Sequence, residues 1–404
     1  MASYPGQAGT QWPAVAYESL TWASWYAQGS ASRNEIRKHQ GPYDAAVPAV
    51  IAGLAVPMRG ELLAAVDEAS AEIARFDEQM GAEIAPFAYL LLRSESAASS
   101  HIEKLTASAR AIAEAEISGA KPGSNAAQVL ANTLAMTAAI DLSGDLSVNA
   151  ILAMHYALMQ PHEPEIAGRW RDEQVWIGGS SLGPHQAVFV PPQWSRIPTA
   201  IDDLVAFMER DDLPALVQAA IAHAQFETIH PFVDGNGRTG RALVHALLHG
   251  KGLTRHVTVP VSAGLLVAID DYFSALDDYR AGEPASIVSR IVDASFAAVT
   301  NGRELVQDLR AIRSSWNERI PARRGANAWR IADFLLAHPV VNVDSIATSL
   351  GIAPSNVYAP LEPLLEAGIL TPSHDKRRGQ IWRSIEVLSA LDEFAARAGK
   401  RQRH

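Results

Sequence analysis

His230-Pro-Phe-Val-Asp-Gly-Asn-Gly-Arg-Thr-Gly-Arg241 packs a histidine, a carboxylate, an amide, two arginines and three glycines into one short stretch. Each of these residue types has a use beside a phosphate. Histidine exchanges a proton near neutral pH. A carboxylate such as Asp234 can hold a magnesium ion against phosphate oxygens. Gly235, Gly237 and Gly240 let backbone N–H groups come close to an anion. The planar forks of Arg238 and Arg241 match phosphate oxygens.

The flanking sequence sets the context. Leu213, Leu216, Val217, Ala220, Ile221 and Ala224 trace one stripe, which predicts an amphipathic helix over 213–229, stopped by Pro231. A second helix is predicted over 237–248. A loop feeding a helix N-terminus suits an anion, because N–H groups and the helix dipole face it. Gly235-x-Gly237-x-x-Gly240 also spells the dinucleotide fingerprint. That motif must follow a strand of a parallel sheet, whereas here it follows a helix. His223 and His230 lack the spacing of a zinc-protease pair, so His223 is read as a structural histidine.

The stretch resembles the signature of the Fic family, His-Pro-Phe-x-Asp-Gly-Asn-Gly-Arg-x-x-Arg, and meets every defining position. The resemblance implies an enzyme that moves AMP from ATP onto a Ser, Thr or Tyr hydroxyl of a protein and releases pyrophosphate. It implies His230 as general base and Asp234 as the Mg²⁺ ligand. Gly235, Asn236, Gly237, Arg238 and Arg241 become the nucleotide-binding set, with Asn236 and the loop amides on the α-phosphate. Related Fic-type proteins that transfer a phosphate depart from Gly-Asn-Gly, and this loop does not. UTP and CDP-choline stay open as donors. The target protein is unspecified, and self-modification and homo-oligomers are both compatible with the signature.

Ser99-Ser100-His101-Ile102-Glu103-Lys104 is similar to the family's inhibitory motif, Ser/Thr-x-x-x-Glu-Gly/Asn, with Lys104 as a departure. The spacing predicts Ser99 and Glu103 on one helical face. The resemblance implies that Glu103 takes the fork of Arg241 away from the γ-phosphate. An enzyme that removes AMP, with Glu103 positioning a water, is a further reading.

Elsewhere, apolar periodicity predicts helices over 61–80, 126–140, 148–159, 265–281 and 287–320, and one or two over 87–117. Residues 1–44 read as irregular. Gln174-Val175-Trp176-Ile177 and Ala187-Val188-Phe189-Val190 read as two strands around a glycine-rich turn, ended by Pro191-Pro192. The resemblance makes this hairpin the flap that holds the target segment as an added strand.

The formal net charge of −10 argues against nonspecific DNA binding by the whole chain. There is no cysteine, which excludes disulfide and thiolate chemistry. The start has no apolar signal core, and no apolar run reaches the ~18 residues of a membrane helix. A soluble cytoplasmic protein with no membrane contact is expected. From Arg323 to His404 there are 11 Lys and Arg against 8 Asp and Glu, while the remainder has 23 against 36. A domain boundary is therefore expected near Pro321-Ala322-Arg323-Arg324-Gly325.

Residues 326–384 look like a winged helix-turn-helix, with helices over 328–337, 343–351 and 353–367 and a basic wing at Lys376-Arg377-Arg378-Gly379. Pro360 and Pro363 each cost about 3 kcal/mol in a helix interior, so a short or broken third helix is expected. DNA binding should then be weak and salt-sensitive. A role in protein interaction fits equally, as does a DNA-binding regulator with a nucleotide-sensing Fic body. The expected architecture is mainly α. A Fic-type helical bundle with its flap and inhibitory helix occupies 45–320, and a winged-helix-like domain occupies 326–404.

Overall fold

The computed structural model describes residues 12–23, 32–81, 86–323, 325–373 and 380–399. The predicted basic turn Lys376-Arg377-Arg378-Gly379 lies outside them. The described chain opens with β1 (Ala16–Trp22), α1 (Arg33–Lys38), β2 (Gly41–Val47), α2 (Gly60–Gly81), α3 (Pro86–Ile102), α4 (Ala109–Ser118), α5 (Asn125–Asp141) and α6 (Val148–Met159). After an irregular stretch come α7 (Ile197–Met208), α8 (Ala215–Ile229), α9 (Asn236–Gly250), α10 (Val261–Val267), α11 (Ile269–Arg280) and α12 (Pro284–Arg319). The chain continues through α13 (Asn327–Ala337), β3 (Val340–Asn342), α14 (Val343–Leu350), α15 (Tyr358–Glu366), β4 (Thr371–Pro372), β5 (Ile381–Arg383) and α16 (Ile385–Gly399). The fold is mainly helical, and all strand pairing among the described residues is antiparallel. Among the described residues no parallel sheet stands before the glycine loop, which follows helix α8 instead, against the dinucleotide reading.

The chain forms two compact units. The first takes the described residues up to Val66, with Ala138–Gly250 and Asp270–Ile291. At its centre is α8, whose residues from Leu216 to Ile229 are all buried. The predicted amphipathic stripe is thus a helix buried on every side, and its polar residues are satisfied inside the protein. Gln218 Nε2 caps the end of α7 by donating to the carbonyls of Phe207, Met208 and Arg210 at 2.8–3.0 Å. Gln225 Nε2 donates to Ala49 O at 2.9 Å and its Oε1 accepts from Tyr279. His223 pairs with the Tyr272 hydroxyl at 2.8 Å, a structural role as expected.

Two local expectations for this unit are corrected. Residues 1–44 are not wholly irregular, because β1 pairs with β2 in a register from Ala16↔Val47 to Trp22↔Gly41. The pairing is held by nonlocal contacts. Leu20, Trp22, Tyr43 and Ala45 pack with Trp176, Ala187 and Val190, and Ala46 N–H donates to Val190 O at 2.9 Å. The helix α7 was not anticipated, although Ile197, Ile201, Leu204 and Phe207 keep helical spacing and are buried. Pro198 falls in its first turn, where a missing N–H costs nothing.

The second unit takes Asp67–Thr137, Lys251–Ile269 and Val292–His404. The units are thus drawn differently from a boundary near 321–325, since the C-terminal elements share one unit with α3, α4 and α10. Asp77 gathers the N–H groups of Arg255, His256 and Val257 at 2.9–3.0 Å. Buried Glu95 accepts from the N–H of Ser262 at the start of α10. Glu386 accepts from Trp316 and Arg319 at 2.6 Å each, and Arg383 meets Glu114 at 2.7 Å. The three-stranded sheet runs β3-β5-β4. The predicted third C-terminal helix is broken. A 3-10 turn at Pro354–Asn356 precedes α15, with Pro360 in the first turn of α15 and Pro363 in its interior.

Candidate active site

The site grows from the junction of α8 and α9 in the first unit. His230 caps α8 in a left-handed conformation, φ 48° and ψ 62°, and its N–H donates to Phe226 O at 2.8 Å. A histidine there costs about 1 kcal/mol, and this turns the chain sharply off the helix. The side chain is 18% exposed. Its Nδ1 lies 3.8 Å from Oε2 of buried Glu227, one turn back. That separation is too long for a hydrogen bond. It does place a carboxylate where an imidazolium would form.

The loop is held closed from within. Asn236 Oδ1 accepts from Phe232 N–H and its Nδ2 donates to Phe232 O, both at 2.9 Å. The amide expected on a phosphate is committed to loop geometry and is buried. Gly235 has φ +77°, and a Cβ there would stand 3.0 Å from Leu158 and Met159, so the loop lies directly on α6. Val233 and Asp234 are the exposed members of the loop. Asp234 Oδ2 is 3.3 Å from Arg238 Nη2, an ion pair with one exposed and one buried partner. Helix α9 begins at Asn236, and Thr239 N–H to Gly235 O at 3.0 Å starts its ladder. Its first amides face the loop. Arg238 and Arg241 lie within α9 and are 3% and 2% exposed. The structure therefore brings His230, Asp234, Gly235, Asn236, Gly237, Arg238 and Arg241 into one loop and helix start.

Two supporting residues had no sequence signal of their own. His155 of α6 accepts from Gly168 N–H at Nδ1 and meets Asp234 O at Nε2, both at 3.0 Å. That pair of contacts makes Nε2 the protonated nitrogen. The ring stacks on Phe232, 3.6 Å between centroids. Burial pushes its pKa down to about 4, against the opposing pull of the Asp234 carbonyl, so it stays neutral. Arg171 donates from Nε to His230 O at 2.9 Å and, through its backbone N–H, to Pro231 O at 3.0 Å.

The flap is reduced to a single bridge, Ile177↔Phe189. Ile177 N–H donates to Phe189 O and Val188 N–H to Ile177 O, both at 2.8 Å. The predicted strands are this short because Gly178 and Gly179, at φ +73° and +76°, turn the chain away at once. Pro191 and Pro192 supply no N–H, and their carbonyls are taken by side chains instead. Arg280 lies over the Phe189 ring at 3.8 Å, and Trp22 Nε1 donates to Leu182 O. Val188 is 76% exposed.

Ser99 and Glu103 belong to the second unit. Ser99 is buried on α3. The helix ends at Ile102, and exposed Glu103 follows as its C-cap, four residues after Ser99. Lys104 takes φ 63°. Lys104 N–H donates to His101 O and Leu105 N–H to Ser100 O, which is a Schellman ending. The Gly or Asn of the inhibitory motif thus corresponds to the left-handed position of a helix cap, and Lys104 occupies it at some steric cost.

Residues 145–248, from the turn before α6 almost to the end of α9, match the model of the Fic/DOC family. The chain carries a Fic/DOC family domain. Beyond it, the chain is similar to the protein adenylyltransferase fic-1 of Caenorhabditis elegans, 27% identical over 158 residues, which covers 38% of this chain and 28% of that one. It is also similar to the protein adenylyltransferase Fic of Drosophila melanogaster, 32% identical over 118 residues, 27% of this chain and 21% of the fly protein. The chain thus spans under a third of the length of these relatives. A solved Fic family protein from Desulfovibrio desulfuricans G20 shares the fold with a TM-score of 0.52 at 22% identity, over 81% of this chain and 97% of that one. No helix among the described residues is long and apolar enough to cross a membrane.

Proposed function

We propose that this chain is a protein adenylyltransferase, transferring AMP from ATP to a protein hydroxyl. One observation carries the reading. The left-handed cap holds His230 at the mouth of a closed loop whose exposed carboxylate, Asp234, precedes a helix start backed by two arginines. His230 accepts the proton of the incoming hydroxyl, and the imidazolium so formed is stabilised by Glu227. A bond forms from the hydroxyl oxygen to the α-phosphorus, and the bond to the pyrophosphate oxygen breaks. The amides at the start of α9 receive the charge that builds on the α-phosphate. Arg238 and Arg241 hold the outer phosphates.

Among the described residues no three His, Asp or Glu side chains gather as a metal site. A lone exposed carboxylate beside bound phosphates suits Mg²⁺, which takes few protein ligands and several phosphate or water oxygens. Asp234 would hold the ion, and the ion would neutralise phosphate charge.

The test is incubation with α-labelled and γ-labelled ATP and Mg²⁺, followed by intact mass. The reading expects the α-label and a gain of one AMP on the chain or a target. Transfer of the γ-label alone would overturn it. His230→Ala should lose transfer while keeping ATP binding in calorimetry.

Glu103 is proposed as a brake acting through Arg241. Glu103→Gly should then raise self-labelling, and adding Arg241→Ala should abolish it. Equal labelling by the wild type and Glu103→Gly would remove the brake. The C-terminal elements are proposed as a winged-helix-like module with weak, salt-sensitive DNA contact, to be checked by gel shift of the full chain at two salt concentrations.

A further inference from the structure

Arg171 joins two segments that are far apart in sequence. Its Nε donates to the carbonyl of His230 at 2.9 Å, Nη1 to that of Glu173 at 2.9 Å and Nη2 to that of Pro192 at 2.6 Å. Its own N–H donates to Pro231 O at 3.0 Å. Glu173 and Pro192 are the two ends of the flap, on either side of the Ile177↔Phe189 bridge. The residue is 2% exposed. Burial pushes its pKa down to about 10, which leaves it charged at neutral pH.

The other end of this contact is the strained residue. The His230 backbone is left-handed, and its two polar groups are held by Phe226 O and by Arg171. A single-bridge flap is marginal by itself. One rigid, planar fork therefore fixes the base, and the two flap ends, to the same atoms.

We propose that Arg171 is the positioning residue that sets the catalytic base and the flap in one geometry, and so places a flap-held hydroxyl on His230. The proposal rests on the transfer reading above. Its contacts are carbonyls of the loop and the flap, so its loss acts on the alignment of the hydroxyl with the base.

Hydrogen exchange of the wild-type chain is the first measurement. The amides of Arg171, Ile177, Val188 and His230 should open with one shared free energy. Arg171→Lys keeps the charge and loses the fork. It should speed exchange at these amides at least tenfold and leave the interior of α8 unchanged. The kcat for AMP transfer should fall about 100-fold, the scale of a misplacement of about 1 Å, with KM for ATP within twofold. Wild-type kcat in Arg171→Lys, or a change confined to KM for ATP, would overturn the proposal. So would flap and His230 amides that open independently in the wild type, and that arm decides the matter if the variant does not fold. A wild type that labels nothing would defeat the transfer reading instead, and leave the exchange result to judge the tie.

Discussion

At the scale of residues, the loop shows how a signature divides its labour. Asn236 sits in the middle of the motif, yet both ends of its amide are bonded to Phe232. It shapes the loop that other groups use. His155 stands outside the motif and supports it by bonding the Asp234 carbonyl. With its folded pKa near 4 against an ordinary 6.5, it makes stability fall with acid. Above pH 6.5 it is neutral in both folded and unfolded chains. Between pH 6.5 and 4 the unfolded chain takes up a proton that the folded one refuses. At about 1.4 kcal/mol per unit, that amounts to roughly 3 kcal/mol. His155→Gln should be less stable than wild type at pH 7.5 and should lose less stability on going to pH 5, as read by denaturant melts. Equal pH slopes would count against this assignment. Lys104 offers the opposite experiment. Its left-handed backbone costs a non-glycine residue about 1 kcal/mol, so Lys104→Gly should stabilise the chain by about that much in the same assay.

At the scale of elements, close approach decides more than polarity does. Gly264 on α10 meets the backbone of Ala294 on α12, where an added Cβ would collide with the carbonyl of Ala294. A backbone carbonyl cannot swing aside as a side chain can. Gly264→Ala should therefore destabilise the second unit by about 1–3 kcal/mol, the usual cost of overpacking. Thermal melts would show it, and an unchanged midpoint would mean that the helices part without cost. Gly240 on α9 is the counterpart in the first unit. A Cβ there would stand 2.9 Å from Glu227 Oε1 and 3.0 Å from Phe226. The third glycine of the motif thus allows α8 and α9 to pack, which is a different service from binding an anion.

At the scale of the whole molecule, the C-terminal elements are built into a unit that also holds α3, α4 and α10. Trp316 is fully buried and donates to Glu386 of α16 at 2.6 Å. Ala109 N–H, at the start of α4, donates to Asp392 of the same helix at 2.9 Å. Deletion of 326–404 should uncover these surfaces, and the shortened chain should aggregate or melt well below the full protein. Size-exclusion chromatography and a melt decide it. A monodisperse fragment with an unchanged midpoint would show that the C-terminal elements fold apart from the rest.

Local chemistry was readable from the order of residues alone. The helices on either side of the loop follow from spacing within a few turns, because proline, glycine and apolar periodicity act on their immediate neighbours. The broken third C-terminal helix followed from Pro360 and Pro363 for the same reason. The rest waited for tertiary structure. Pairing of β1 with β2, the burial of α8 on every side and the role of Arg171 each depend on groups brought together from distant parts of the chain. Lys104 takes a left-handed cap at the end of α3, which the sequence marked only as a departure. Nonlocal contacts carry no periodic trace. Only the fold decides which buried carbonyl an arginine reaches or which loop an asparagine closes.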